Sequence, residues 1–227
     1  MISIIIPVFN EEVALPILLK HLNECEKIDQ CELLIVDGGS TDNTAKVAEA
    51  YNCTLYLSPQ KGRAAQMNYG SQVAHGDIFY FLHVDTLPPS DFVDQFTEKI
   101  NTGFGAGCFR LMFDDDHPVL KFYAWFTRFD LDVLRFGDQS LFVEKSIFKS
   151  AGGFDERLVV MEDQIIVKDL KRLTKFCILH SAVITSARKY RENGVIRLQL
   201  IFTTILIFFY LKVPQEKLVQ FYRRFIR

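Results

Sequence analysis

The 227-residue chain predicts an α/β fold with a doubly wound, mostly parallel central sheet flanked by helices. Three observations carry that expectation. Short apolar, β-branched runs alternate with segments of helical periodicity through the first half of the chain, the pattern of successive βαβ units. Those runs are apolar on both faces, as strands covered by helices on either side must be. Two of them end on a carboxylate, Asp37 and Asp85, where the strand ends of an open α/β sheet meet a ligand crevice.

The elements follow in order. Ile2–Ile6 is a strand that Pro7 ends, since proline lacks an N–H. Asn10 is a capping residue for the helix that follows, and Pro16 suits a first helical turn. That helix runs from about Ala14 to Cys25, with Leu15, Leu18, Leu19 and Leu22 on one face. Glu32–Val36 is the second strand. Gly38 to Asp42 is a turn with a helix cap, and a helix continues to about Tyr51. Thr54–Leu57 is a short third strand, and Lys61-Gly62-Arg63 opens a helix of small and polar residues from Ala64 to Ala74. The fourth strand ends on His83-Val84-Asp85. On an extended chain His83 and Asp85, two residues apart, share a face. An imidazole and a carboxylate there suit a divalent cation held against a phosphate, or else are a packed His beside a solvated Asp. A helix capped by Ser90 runs to Ile100.

The pattern then changes. Gly103–Phe109 reads as a strand with close backbone approaches. Asp114-Asp115-Asp116 is a solvated acidic turn, since three neighbours on one turn cannot converge on an ion. Val119–Arg135 is an aromatic-rich amphipathic helix, and Gln139–Val143 a short strand. After a Gly152–Asp155 turn, Met161-Glu162-Asp163 opens a helix to about Leu173, and Phe176–Ile184 is a late strand. Leu198–Leu211 is an apolar helix of fourteen residues, short of the roughly twenty needed to span a bilayer. A packed or dimer-forming helix, an interfacial membrane helix and, last, a true span are the competing placements for residues 195–213. Arg223, Arg224 and Arg227 follow it.

Composition excludes several classes. A net charge of -2 gives no electrostatic footprint for nucleic acid. Five cysteines without a CxxC pair indicate neither a zinc site nor a disulfide framework, and fit reduced thiols in a cytoplasmic protein. The N-terminus has no basic start and does not read as a signal peptide.

Asp37, Arg63, Asp85 and the pair Glu162-Asp163 all fall at element ends on the same side of the predicted sheet. Each alone has an ordinary role as a turn cap, a surface charge or a helix-dipole partner. Together, in this order, they resemble the family-2 glycosyltransferases with the GT-A fold. Ser3-Ile4-Ile5-Ile6-Pro7-Val8-Phe9-Asn10-Glu11 resembles the opening strand and donor turn of that family, and Val36-Asp37-Gly38-Gly39-Ser40-Thr41-Asp42 its second-strand segment. His83-Val84-Asp85 stands where the family has its DXD metal motif, and Glu162-Asp163 where it has its ED pair. Gly62 to Asn68, Gly137-Asp138-Gln139 and Ser186 to Tyr190 are similar to a small single-domain bacterial branch often labelled arsenosugar-biosynthesis glycosyltransferases.

The resemblance implies a GT-A domain over residues 1–190, with a nucleotide-binding half to 102 and an acceptor half from 103, and a helical tail over 191–227. It implies an inverting transferase that moves a sugar from a nucleotide-diphosphate sugar to an acceptor hydroxyl. Asp163 would be the base. Pro7, Asn10, Glu11, Asp37, Gly62, Arg63, His83, Asp85 and Arg188 would bind the donor, and Gln139 and Glu162 would lie on the acceptor side. Asp85 and His83 would hold manganese or magnesium, with His180 as a candidate to complete the shell. Because His83 replaces the first Asp of DXD, the metal would rest mainly on Asp85, and an imidazole suits manganese better than magnesium. Arg188-Lys189-Tyr190 only loosely matches the QxxRW motif of processive members, which implies one sugar per encounter. The acceptor, a small metabolite or a lipid, stays open, as does peripheral contact with the inner face of the membrane.

Two other readings compete. A sugar-phosphate nucleotidyltransferase would want a glycine-rich basic loop after the first strand, and Pro7 to Glu11 holds neither glycine nor a basic residue. A non-catalytic sugar-nucleotide-binding or membrane-associated protein would be favoured by loss of the metal or base residue, and both Asp85 and Asp163 are present.

Overall fold

The computed structural model describes residues 1–226; Arg227, the last cation of the tail, lies outside the described residues. The chain forms strands β1 (Ile2–Val8), β2 (Cys31–Asp37), β3 (Thr54–Leu57), β4 (Ile78–Phe81), β5 (Thr86–Leu87), β6 (Ala106–Phe113), β7 (Leu141–Glu144) and β8 (Phe176–Thr185). They make one sheet in the order β3-β2-β1-β4-β7-β6-β8-β5. The half from β3 to β4 is wholly parallel. β7 is antiparallel to both β4 and β6, β6 and β8 are parallel, and the short β5 closes the far edge antiparallel to β8. The result is an α/β sheet, parallel through its first half and mixed through its second.

Helices cover both faces. Along β1 the alternation splits the core: Ile4 and Ile6 pack with α1 (Ala14–Asn23) and α4 (Phe92–Asn101), whereas Ile5 packs with α3 (Arg63–Val73), α6 (Lys145–Ala151) and α7 (Glu162–Leu173). The predicted face of α1 is confirmed: Leu15, Leu18, Leu19 and Leu22 are all fully buried. Tyr80 of β4 stacks on Phe92 and meets Phe96 and Phe109 edge-on, so the aromatic run before His83 is core.

Five features differ from expectation. Pro7 lies within β1, paired with Val36. Leu82 N donates to Ile5 O, so Pro7, two residues on, faces the β4 side, where pairing has ended at Ile5–Phe81 and no ladder bond is lost. Asn10 does not cap α1. It sits at φ 55°, and its Oδ1 accepts from Thr41 N at 2.8 Å, tying the β1 turn to the β2 turn. The aromatic helix α5 stops at Phe126, short of Arg135, because Thr127 Oγ1 is captured by Leu111 N of β6. Gln139 lies in a 3-10 turn (Gly137–Gln139) before β7, and Ser90 makes no side-chain cap for α4.

The tail folds back as α8 (Arg188–Asn193), α9 (Val195–Tyr210) and α10 (Gln215–Phe225). Leu198, Ile201 and Ile205 of α9 are buried, as is Leu218 of α10, so the apolar segment packs on the domain. Ile196, Leu200 and Ile207 of α9, and Leu211 just after it, remain exposed at helical spacing. Among the described residues no helix is long and apolar enough to cross a membrane.

Candidate active site

β4 ends at Phe81, before the His-Val-Asp segment. Residues 82–85 form a turn, closed by Thr86 N donating to His83 O at 3.1 Å. His83 and Asp85 therefore converge by a turn, and not by strand alternation as the spacing suggested. A third residue joins them. β7 runs antiparallel to β4 with Phe81 opposite Leu141, so the turn before Leu141 lies beside the turn after Phe81. It delivers Asp138, whose Oδ1 stands 3.1 Å from His83 Nδ1. One ligand atom from each of His83, Asp85 and Asp138 lies within 4.8 Å of the others.

That donor set fits a divalent cation. Two carboxylates neutralise its charge and an imidazole suits manganese. Burial pushes the Asp138 carboxyl up, but the hydrogen bond to His83 and the charges of His83 and Arg63 outweigh it and hold the group below its ordinary value, ionised as a ligand must be. His180 does not contribute: it is exposed on β8, with Nδ1 3.1 Å from Arg110 Nη2.

Asp163 approaches the same cluster from α7. Gly137 fixes the distance, because a Cβ there would collide with both the His83 ring and the Asp163 carboxylate. Glu162 beside it is 2% exposed and faces Arg63 Nη1 at 3.6 Å, too far for a full hydrogen bond. Burial and the neighbouring charge of Asp163 push the Glu162 carboxyl up to about 7. Met161, just ahead of α7, takes a left-handed φ of 70° that aims these two carboxylates. Asn68 of α3 braces the segment leading to them, its amide accepting from Phe154 N at 2.9 Å and donating to Phe154 O at 2.8 Å.

Before the His83, Asp85 and Asp138 cluster lies an open cleft of about 470 Å³ at the C-terminal ends of the parallel strands, a volume suited to a small-molecule ligand. Pro7, Glu11, Gly62, Arg63, His83 and Asp85 line it, together with Asp138, Lys61, Lys189 and Arg223. Gln66 builds its floor by donating to Val8 O and Val36 O. Glu11 Oε2 meets Arg188 Nη2 at 3.5 Å. Burial raises the Glu11 carboxyl, and Asp85 adds to it against the pull of Arg188. Asp37 and Asn10 stand one step behind the cleft wall: Asp37 Oδ1 accepts from Gly39 N, Ser40 N and Ser40 Oγ. Gln139 is buried, with Nε2 donating to Phe109 O and Oε1 accepting from Phe136 N, so it shapes the loop that carries Asp138.

Sequence reasoning missed Asp138 as a candidate ligand, although it stands between two residues of a noted motif. It also missed Lys61, Lys189 and Arg223 as cleft residues.

One imidazole and two carboxylates beyond the strand ends of a half-parallel sheet, facing a cleft lined by Lys61, Arg63, Lys189 and Arg223, can hold a cation beside an anionic ligand. The chain matches glycosyl transferase family 2 over residues 3–150 and belongs to that family. Among curated proteins it is 30% identical over 112 residues to undecaprenyl-phosphate 4-deoxy-4-formamido-L-arabinose transferase of Proteus mirabilis and, likewise at 30%, to that of Pectobacterium atrosepticum. Those matches cover 45% of this chain and 34% of each relative, so the chain spans about a third of the relatives' length. Among solved structures it is similar to a mannosyltransferase of Pyrobaculum calidifontis in complex with GDP-Man and Mn2+ (TM-score 0.74, 16% identity, 92% of this chain and 63% of that one). It is also similar to glucosyl-3-phosphoglycerate synthase of Mycobacterium tuberculosis with Mn2+, UDP and glucosyl-3-phosphoglycerate (TM-score 0.61, 17% identity, 92% and 78%). At these identities the structural likeness establishes the GT-A fold.

Proposed function

We propose that this glycosyltransferase is an inverting, non-processive enzyme that moves one sugar from a nucleoside diphosphate sugar to an acceptor hydroxyl. The observation that carries the reading is the convergence of His83, Asp85 and Asp138 at the end of one cleft, with Asp163 across Gly137 from His83. A divalent cation bound there, manganese by preference, would offset the charge that builds on the departing diphosphate. Arg63 and Arg188 add fixed positive charge at the cleft wall, and Asp37, with Asn10, Pro7 and Gly62, forms the nucleoside end. The similar proteins solved with UDP or GDP-Man and Mn2+ support this donor class.

The chemistry is one displacement. The acceptor oxygen bonds to the anomeric carbon, the bond from that carbon to the diphosphate oxygen breaks with its electron pair, and the acceptor proton passes to the Asp163 carboxylate. Attack opposite the leaving group inverts the centre, and the oxocarbenium-like state needs no enzyme nucleophile. Glu162, buried and facing Arg63, positions Arg63 and Asp163 on the side from which the acceptor enters.

For the acceptor we favour an amphiphile. Phe122, Trp125 and Phe129 on and after α5 are exposed at helical spacing, as are Ile196, Leu200, Ile207 and Leu211 on and just after α9. The relatives' names carry a lipid phosphate. On this reading the protein works in the cytoplasm at the inner face of the membrane, with the 191–226 tail as part of the docking face; the exposed aliphatic side chains of the tail support it.

Thermal stability against UDP, GDP and their sugars, with and without manganese, tests the donor reading. A ligand at a hundred times its dissociation constant adds about 2.7 kcal/mol. The expected result is a manganese-dependent rise with one nucleoside diphosphate, absent in Asp85→Ala. A rise with triphosphates alone would contradict it in favour of nucleotidyl transfer.

A further inference from the structure

Five cations stand around the cleft, and they fall into two groups. Arg63 faces Glu162 at 3.6 Å and Arg188 faces Glu11 at 3.5 Å, so each has a carboxyl partner within the protein. Lys61, Lys189 and Arg223 line the same cleft and have no ion pair or side-chain hydrogen bond among the described residues. They come from three separate places: the loop between β3 and α3, the short helix α8, and the C-terminal helix α10. The charge of Lys189 acts on both the Glu11 and the Asp138 carboxyls, although burial still leaves Glu11 raised. Gathering three unpaired cations at one opening is unfavourable unless an anion enters between them.

The position of α10 is built. Gln215 Nε2 donates to Val160 O at 3.3 Å and its Oε1 accepts from Val159 N at 3.4 Å, fixing the start of the helix to the segment that leads into Glu162 and Asp163. Leu218 is fully buried, Phe221 packs edge-on against Phe208 of α9, and Arg197 Nη2 donates to Phe225 O at 3.0 Å. These contacts hold Arg223 at the cleft, on an element more than two hundred positions from Pro7 of the opposite wall.

We propose that α10 is a wall of the donor site and that Arg223, with Lys61 and Lys189, binds the phosphate groups of the nucleoside diphosphate. The inference rests on the reading of this cleft as the donor site. It makes the tail a working part of the site, and it makes donor binding lock α10 against the segment that carries Asp163.

Calorimetric titration of UDP, GDP and inorganic pyrophosphate, with manganese present, into the wild type, Arg223→Ala, Arg223→Lys and Arg224→Ala tests it. Loss of one charge-assisted contact weakens binding about tenfold or more. Arg223→Ala is expected to weaken the nucleoside diphosphate and pyrophosphate by that factor, to leave manganese affinity unchanged, and to be partly rescued by lysine. Arg224→Ala, one residue on and outside the cleft lining, is expected to bind as the wild type does. Wild-type affinity in Arg223→Ala overturns the inference alone. Unchanged diphosphate binding in Arg223→Ala, with weakened binding of glycerol 3-phosphate in a separate titration, assigns the cations to an acceptor phosphate and also overturns it. A wild type that binds none of the three probes overturns both the inference and the functional reading beneath it.

Discussion

His83 Nδ1 and Asp138 Oδ1 meet at 3.1 Å across the antiparallel junction of β4 and β7. A cation held by this pair together with Asp85 would lose part of its shell if either side chain were replaced. Asp138→Asn is expected to weaken manganese binding at least tenfold, the scale seen for groups that only support metal ligands. Titration followed by electron paramagnetic resonance measures it, and an unchanged affinity would remove Asp138 from the site.

Gly137 separates the His83 ring from the Asp163 carboxylate with no room for a methyl group. Gly137→Ala is expected to cost about 1–3 kcal/mol of stability through overpacking. Transfer should fall further than that loss implies, because both functional side chains must shift. Denaturant unfolding and a turnover assay on the same preparation separate the two effects.

Asn68 satisfies both the N–H and the C=O of Phe154. Asn68→Ala strands those groups in a partly buried place, at about 1–3 kcal/mol. It also frees the segment before Met161, so kcat is expected to fall with little change in manganese affinity. A variant as stable as the wild type in urea would show that the brace is unimportant.

Glu162 sets a pH dependence of stability. Its folded value of about 7 lies above its ordinary 4.5. The folded state therefore binds a proton that the unfolded state has released between those limits. The contribution to stability is full below about pH 4.5, declines as pH rises toward 7, and is gone above it. Glu162→Gln removes the titration, so the stability of the wild type relative to Glu162→Gln should fall from pH 4.5 to 7 and then level. A difference that stays flat across that range would mean that the carboxyl titrates normally.

Much of this architecture was legible because its signals are local. The β3 bounds, the start and end of α7 and the buried stripe of α1 follow from periodicity and end residues within a few positions. The convergence of Asp37, Arg63, Asp85 and Asp163 toward one end of the sheet follows from the rule that open α/β sheets bind ligands beyond their strand ends. Asp138 was not legible. It reaches His83, fifty-five positions earlier, only because β7 enters the sheet antiparallel beside β4, and nothing near Asp138 encodes that register. Arg223 was hidden for the same reason: its place depends on how two amphipathic helices fold back onto the domain. The end of β4 was misread because an apolar run continues to Leu82 and Val84, while the hydrogen bonds that define the strand stop at Phe81.

The most direct test of the account is turnover of a bound nucleoside diphosphate sugar by Asp163→Asn. With manganese and the donor that stabilises the wild type, the variant is expected to bind donor with near-wild-type affinity and to transfer sugar 10²–10⁴-fold more slowly, the usual contribution of a positioned base. Transfer within a few-fold of the wild type, with donor binding intact, would contradict the assignment of Asp163 and the catalytic reading built on its approach to His83.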